Sequence, residues 1–249
     1  MPDLKLTVLS LRYSSWSMRA WLTLTQAGAD FALQTASLPD MQRQGDCESG
    51  ALAELRPADR VARRQVGSVT GLFPTLWIDG QPVHETLAIC ETVADLYPDA
   101  GLWPGAVTDR ARARAVSTEM ATGFTALRGE LSCHLFGRVP GFAPSAAAAA
   151  NIDRIFELWA ECLDRSGGPF LFGQFGIADA MYFPVLSRLR TYNIALPEAL
   201  VEWAHAMDSA PPVQALWEAA RQAPAIAIYD DYLRELGGDP AAATPKQAP

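Results

Sequence analysis

The chain has 249 residues, 49% of them hydrophobic and 19% charged; at that size roughly 70–75% of the unfolded surface can be buried, which excludes a disordered chain and any need for disulfides. The 20 Lys and Arg stand against 28 Asp and Glu, a net charge of -8, which is the wrong sign for binding nucleic acid or an anionic membrane. Met1-Pro2-Asp3-Leu4-Lys5 lacks the pattern of a secretion signal and no run approaches the ~18 apolar residues of a membrane span, so a soluble cytoplasmic protein is expected.

Residues 4–9 alternate as a strand does. After a turn at 10–14, residues 16–27 read as a helix stopped by Gly28, and 30–37 as a second strand carrying Phe31, Leu33 and Thr35. A strand, a helix and a strand in so short a span form a β-α-β unit, hence parallel pairing with a right-handed crossover. The stretch 39–71 is polar, aperiodic and long for a compact domain, with one short helix expected at 48–55. A passive insertion is favoured there over a lid, because long surface loops cost little.

Residues 73–78 then form a strand, Asp79-Gly80 turns a hairpin, 81–84 return antiparallel, and 86–97 form a helix closed by Pro98. The run 98–105, rich in Pro and Gly, is the linker. Beyond it everything reads as helix. A long one is expected from a cap at Thr108 towards His134, with Val116, Met120, Phe124, Leu127 and Leu131 on one face. Others follow Ser145 to Leu163 and span 177–192, 197–209 and 212–222. The fold class is therefore an α/β thioredoxin-like domain over 1–98, followed by an all-α helical domain over 105–236 and a disordered tail over 237–249.

Cys47, Cys90, Cys133 and Cys162 are far apart, as are His84, His134 and His205. Free buried thiols and no metal site are expected. Three segments can carry chemistry. Tyr13-Ser14-Ser15-Trp16-Ser17-Met18-Arg19 brings hydroxyls and N–H groups to a helix N-terminus, where the dipole favours an anion; taken alone, Ser14 or Ser15 reads more simply as the helix cap. Phe73-Pro74 opens a strand after a loop, where a cis bond would expose backbone to a ligand, although most X-Pro bonds are trans. Glu85-Thr86 starts another helix, where Glu85 can take an ammonium and Thr86 a carboxylate, or where both merely cap it.

The arrangement S-S-x-S-x-R, then F-P-T-L-x-I-D-G, then H-E-T-L-A-I resembles the N-terminal half of the cytosolic glutathione transferases. The serine-type classes are nearest, above all the zeta-like group that includes maleylacetoacetate isomerases. Gly173-Gln174-Phe175-Gly176-Ile177-Ala178-Asp179-Ala180 is similar to the family's motif in its helical domain, so the resemblance spans roughly residues 6–216.

The resemblance implies a homodimer that uses glutathione and no metal. Ser14 would donate a hydrogen bond to the sulfur, with Ser15 and Ser17 as substitutes. Phe73, before a cis Pro74, would pair with the cysteinyl backbone, while Glu85 and Thr86 would hold the γ-glutamyl end. The electrophile pocket would lie between Tyr13 and the helix after Thr108, lined by Met120 and Phe124, with Arg19, Arg128 and His134 able to polarise a carbonyl or carboxylate. On its own, the stripe Met120, Phe124, Leu127 reads as core.

Three positions depart from the family pattern. Trp16 stands where the zeta-like isomerases carry cysteine. Leu72 stands where a basic residue is common, which leaves the glycyl carboxylate to Arg43, Gln44 or an arginine of 56–64. Gly176 stands where Ser or Thr caps the helix. The implied reaction is attack of a glutathione thiolate on a small electrophile such as an activated ring or an unsaturated acid. The alternatives are a maleylacetoacetate- or maleylpyruvate-type isomerase and a non-catalytic binding module on the same fold. Trp103 is expected to pack at the domain junction, and Arg110, Arg112 and Arg114 to line a solvated face or a subunit interface.

Overall fold

The computed structural model describes residues 2–38 and 57–242. Strands β1 (Leu4–Val8), β2 (Ala32–Thr35), β3 (Thr75–Ile78) and β4 (Gln81–Val83) form one sheet in the order β2-β1-β3-β4. β1 and β2 are parallel, as the β-α-β reading requires; β3 runs antiparallel to β1, and β4 antiparallel to β3. β1 lies inside the sheet and is almost wholly buried, which is why Leu4, Leu6 and Val8 accompany an equally buried Thr7. Asp79 and Gly80, with φ of 48° and 79°, make the two-residue hairpin turn.

The register fixes where a site can form. Val8 stands opposite Thr35, Thr7 opposite Thr75, and Leu76 opposite Val83. The ends of β1 and β2, the start of β3 and the end of β4 therefore share one edge of the domain. The segments that follow β1, precede β3 and follow β4 are the three singled out above.

Helices α1 (Ser15–Gln26) and α3 (Thr86–Leu96) pack against each other. A further helix, α2 (Pro57–Gln65), lies within the stretch expected as loop. Its buried positions are Asp59 and Arg63, so it has no apolar stripe from which a helical period could be read. The short helix expected at 48–55 lies outside the described residues.

The second half comprises α4 (Val107–Thr122), α5 (Thr125–Glu130), α6 (Ala146–Ser166), α7 (Ile177–Thr191), α8 (Val201–Ser209), α9 (Pro211–Gln222) and α10 (Ala227–Glu235). The single long helix expected after Thr108 is broken in two. At the break a Cβ on Gly123 would lie 2.8 Å from the Glu119 carbonyl, and Phe124 takes a left-handed φ of 57°. Arg128 seals the break by donating from Nε and Nη2 to the Gly123 carbonyl at 3.2 and 3.0 Å.

α7 is the central helix, buried along nearly its whole length. Trp159 of α6 packs on it and on Trp203 of α8, with ring centroids 5.5 Å from Tyr182 and 4.4 Å from Trp203. Gly176 cannot carry a capping side chain, because a Cβ would stand 2.7 Å from the Leu102 carbonyl. Capping passes instead to Asp179, whose carboxylate accepts from the N–H groups of Gly176 and Leu171, both at 3.1 Å, and from Trp203 Nε1 at 3.0 Å. Burial still pushes the Asp179 carboxyl up to about 6.

Between the domains, Glu91 of α3 receives Arg114 of α4 through two bonds of 2.7 and 2.9 Å and Trp103 Nε1 at 2.9 Å. Arg114 holds the Glu91 carboxyl below its ordinary range. Arg112 pairs with Glu161 of α6 at 2.5 Å. Of the tail expected from Gly237, the described residues 237–242 include Asp239, which is bridged antiparallel to Arg138 by two backbone bonds of 2.8 Å; residues 243–249 lie outside the described ones. No helix among the described residues is long and apolar enough to cross a membrane. Cys90, Cys133 and Cys162 are buried free thiols, and Cys47 lies outside the described residues.

Candidate active site

The three serines at the start of α1 have different jobs. Ser14 is the N-cap, and its Oγ accepts the Ser17 N–H at 3.3 Å. Ser17 Oγ accepts the Leu9 N–H at 3.3 Å, tying the helix to the end of β1. Ser15 Oγ lies 3.5 Å from Nη2 of Arg188 on α7. All three are buried. Besides this cap Ser14 makes a further interaction; its hydroxyl combines two acceptor sites with one hydrogen. No acidic residue occupies the first turn of α1, so nothing there offsets the positive end of its dipole.

The Phe73–Pro74 bond is cis. Phe73 is buried against Leu9, Ala36 and Leu38. The loop before it is clamped by Ser68, whose Oγ accepts from Gly71 N–H at 2.8 Å and donates to the Leu72 carbonyl at 2.6 Å, and by Arg63, which donates to the Gly71 carbonyl at 3.3 Å. Gly71 sits at φ +104°, and a Cβ there would strike Arg60 Cγ at 2.6 Å. Of the residues considered for a glycyl carboxylate, Arg43, Gln44 and Arg56 lie outside the described residues. Arg63 stacks on Phe73 with 5.9 Å from guanidinium to ring, and Arg64 is exposed.

Glu85 is the N-cap of α3 and is exposed, while Thr86 is buried. The His84–Glu85 bond is also cis. The Glu85 side chain makes no capping bond and the first turn of α3 holds no acid, so the first N–H groups of α3 are not taken up by the N-cap side chain. Ser14, Phe73, Pro74, Glu85 and Thr86 thus converge on the one sheet edge defined by the strand register.

The residues expected around the electrophile fall into two groups. Tyr13 is buried and donates its hydroxyl to Asp230 Oδ1 at 2.8 Å, while accepting the Ile226 N–H at 3.4 Å. It stacks on Tyr229 and meets His134 edge-on, each with ring centroids 4.8 Å away. His134 Nε2 lies 2.8 Å from the same Asp230 oxygen. Desolvation outweighs Asp230 and pushes the imidazole down to about 4, so His134 is neutral and its Nε2–H donates; burial likewise pushes the Tyr13 phenol up. α10 thereby covers the Tyr13–Ser14 turn.

The second group surrounds Trp16. The guanidinium groups of Arg19 and Arg128 lie 4.5 and 5.4 Å from its ring, and Arg19 Nε donates to the Met181 carbonyl at 2.8 Å. Met120 and Phe124 belong to the continuous core that includes Trp16. Ile226, Tyr229 and Asp230 were not among the residues read from sequence as part of the site. The signal for them is the spacing Ile226, Tyr229, Leu233, which carries a helical period with one carboxylate on its buried side. Among the described residues no three His, Cys, Asp or Glu side chains gather as a metal set.

The family description "Glutathione S-transferase, N-terminal domain" matches residues 13–96, and "Glutathione S-transferase, C-terminal domain" matches residues 106–219. A probable maleylacetoacetate isomerase of Caenorhabditis elegans is 26% identical over 197 residues, covering 79% of this chain and 84% of the relative. Among solved structures, a glutathione transferase homologue from Burkholderia with bound glutathione superposes with a TM-score of 0.64 at 22% identity, over 88% of this chain and 98% of the other. A maleylacetoacetate isomerase from Anaeromyxobacter dehalogenans gives 0.59 at 20% identity, over 87% and 91%.

Proposed function

The chain belongs to the glutathione S-transferase family, and from that membership we propose that it binds glutathione and activates its thiol at Ser14 for attack on a small electrophile. The observation that carries the proposal is the convergence of the Ser14 cap, the cis Phe73–Pro74 segment and the start of α3 on one sheet edge. A free thiol titrates near ~8.5, and lowering it by about two units takes ~2.7 kcal/mol of selective thiolate stabilisation. One donated hydroxyl hydrogen bond together with the dipole of α1 is of that order. Phe73 and Pro74 pair with the cysteinyl backbone, Glu85 with the γ-glutamyl ammonium, and Thr86 with the helix N–H groups holds its carboxylate. Ser15 and Ser17 support the turn that aims Ser14.

The protein is proposed to act on its electrophile as a homodimer in the cytoplasm; Tyr13, Arg19, Met120, Phe124 and Arg128, expected to line the electrophile pocket, are instead buried in contacts within the protein. A second reading, reversible addition with isomerisation of an unsaturated diacid, is favoured by the Caenorhabditis relative, which is matched over 84% of its length. Ser14→Ala tests the common step. The ultraviolet absorbance of the bound thiolate should titrate below ~7 in the wild type and move up by about two units in the variant, with kcat falling about a hundredfold. A wild-type complex whose thiol ionises no more readily than free glutathione overturns the proposal and leaves a binding module. Accumulating conjugate marks a transferase; turnover of maleylpyruvate without net loss of glutathione marks an isomerase.

A further inference from the structure

The arginines around the serine turn differ in what they leave open to a ligand. Arg19, Arg63, Arg128 and Arg188 are fully buried. Each bonds a main-chain carbonyl: Arg19 that of Met181 at 2.8 Å, Arg63 that of Gly71 at 3.3 Å, Arg128 that of Gly123 at 3.0 Å and Arg188 that of Leu131 at 2.6 Å. Arg12 is held in another way. It stands two residues before Ser14 and is half-buried. Its guanidinium lies 5.2 Å from the centre of the Tyr13 ring and 4.9 Å from that of Phe136, and Phe136 in turn meets Trp217 of α9 edge-on with ring centroids 5.4 Å apart. Its Nε is buried and has no hydrogen-bond partner.

The backbone fixes this side chain in place. The Arg12 N–H donates to Ser10 Oγ at 3.0 Å, and the Arg12 carbonyl accepts the Leu135 N–H at 3.3 Å. Two aromatic rings then hold the guanidinium at the start of the turn that carries Ser14. No carboxylate among the described residues pairs with it. Asp230, which Tyr13 reaches, has Oδ1 taken by the Tyr13 hydroxyl and His134 Nε2, while its Oδ2 stands 4.0 Å from Arg234. The Arg12 charge is felt in this corner, where it adds to the burial that holds the His134 imidazole down. A guanidinium that is partly desolvated, fixed between rings and short of a counter-charge favours an incoming carboxylate, which it can meet with a fork of N–H donors.

We propose that Arg12 is a specificity-determining residue, pairing with a carboxylate on the electrophile and so selecting anionic acceptors over neutral ones of the same shape; this rests on the glutathione-transfer reading above. A para-chlorodinitrobenzoate and its amide make the probe pair. With either, the glutathione thiolate sulfur bonds the ring carbon that bears chlorine, and chloride leaves with the electron pair of the broken bond. The two differ in charge at the far end of the ring. With rates taken relative to the uncatalysed reaction, the wild type should favour the benzoate in kcat/KM, chiefly through a lower KM. Arg12→Gln should cut the benzoate-to-amide ratio about tenfold or more, since a charge-assisted bond is lost, and Arg12→Lys should restore part of it. A ratio that is the same in the wild type and a folded Arg12→Gln variant refutes the assignment. So does a variant that loses both acceptors in equal proportion, which marks a purely structural role. A wild type that turns over the amide without favouring the benzoate removes the role of Arg12 and leaves the transferase standing. A wild type that turns over neither, its bound thiol no more acidic than free glutathione, removes both.

Discussion

Replacing His134 by glutamine removes a proton-binding group from the contact between α10 and the Tyr13 turn, and the effect is readable as a change in pH dependence. Burial pushes this imidazole from 6.5 down to about 4 against the pull of Asp230. The unfolded chain therefore binds the proton more tightly than the folded one. The stability His134 contributes is complete above its unfolded value of 6.5 and is lost as the pH falls towards 4. Over that interval the loss amounts to about 3 kcal/mol, at ~1.36 kcal/mol per pH unit. Asp179 works in the opposite sense. Its carboxyl is raised from 3.8 to about 6, so its contribution is complete below 3.8 and is lost as the pH rises through 6. A wild-type curve alone would blend the two. The difference between wild type and His134→Gln cancels Asp179, which both proteins share. Guanidinium unfolding of the two proteins, run within and above this interval, should show the wild type losing about 3 kcal/mol relative to the variant on acidification. A difference that stays constant with pH refutes the reasoning, because it would mean that His134 keeps an ordinary affinity for its proton in the folded protein.

Asp179→Ala should destabilise the protein by about 3–5 kcal/mol, because it strands the buried N–H groups of Leu171, Gly176 and Trp203; chemical unfolding followed by tryptophan fluorescence measures it, and Asp179→Asn should cost less. Arg114→Ala removes the bidentate pair to Glu91, but its side chain is 46% exposed. The change in unfolding free energy should stay below ~1 kcal/mol and shrink further in high salt.

The elements that sequence reveals are those whose signal is local. The parallel β1–β2 pair follows from a strand, helix and strand in immediate succession, and the β3–β4 hairpin from Asp79-Gly80. Both helix starts at the site also show themselves, since Ser14 caps α1 and Glu85 sits at the N-cap of α3. What escapes has a non-local or polar cause. α2 buries Asp59 and Arg63, so its inward face looks like a solvated one. The break between α4 and α5 depends on how closely the Glu119 carbonyl approaches Gly123, a distance no periodicity carries. Met120 and Phe124 sit on the face that a stripe predicts, but only packing shows that this face is continuous with Trp16. The partner of Tyr13 is found 217 residues away.

That last separation bears on how the molecule comes into being. A ribosome delivers the first turn of the N-terminal domain long before it delivers the helix that roofs it, and loop closure across such a span is entropically slow. The Tyr13 hydroxyl and the His134 ring must therefore wait, solvated, until Asp230 has emerged. Only the finished polypeptide can dry this corner, so a nascent or prematurely terminated chain would carry the serine turn without its cover.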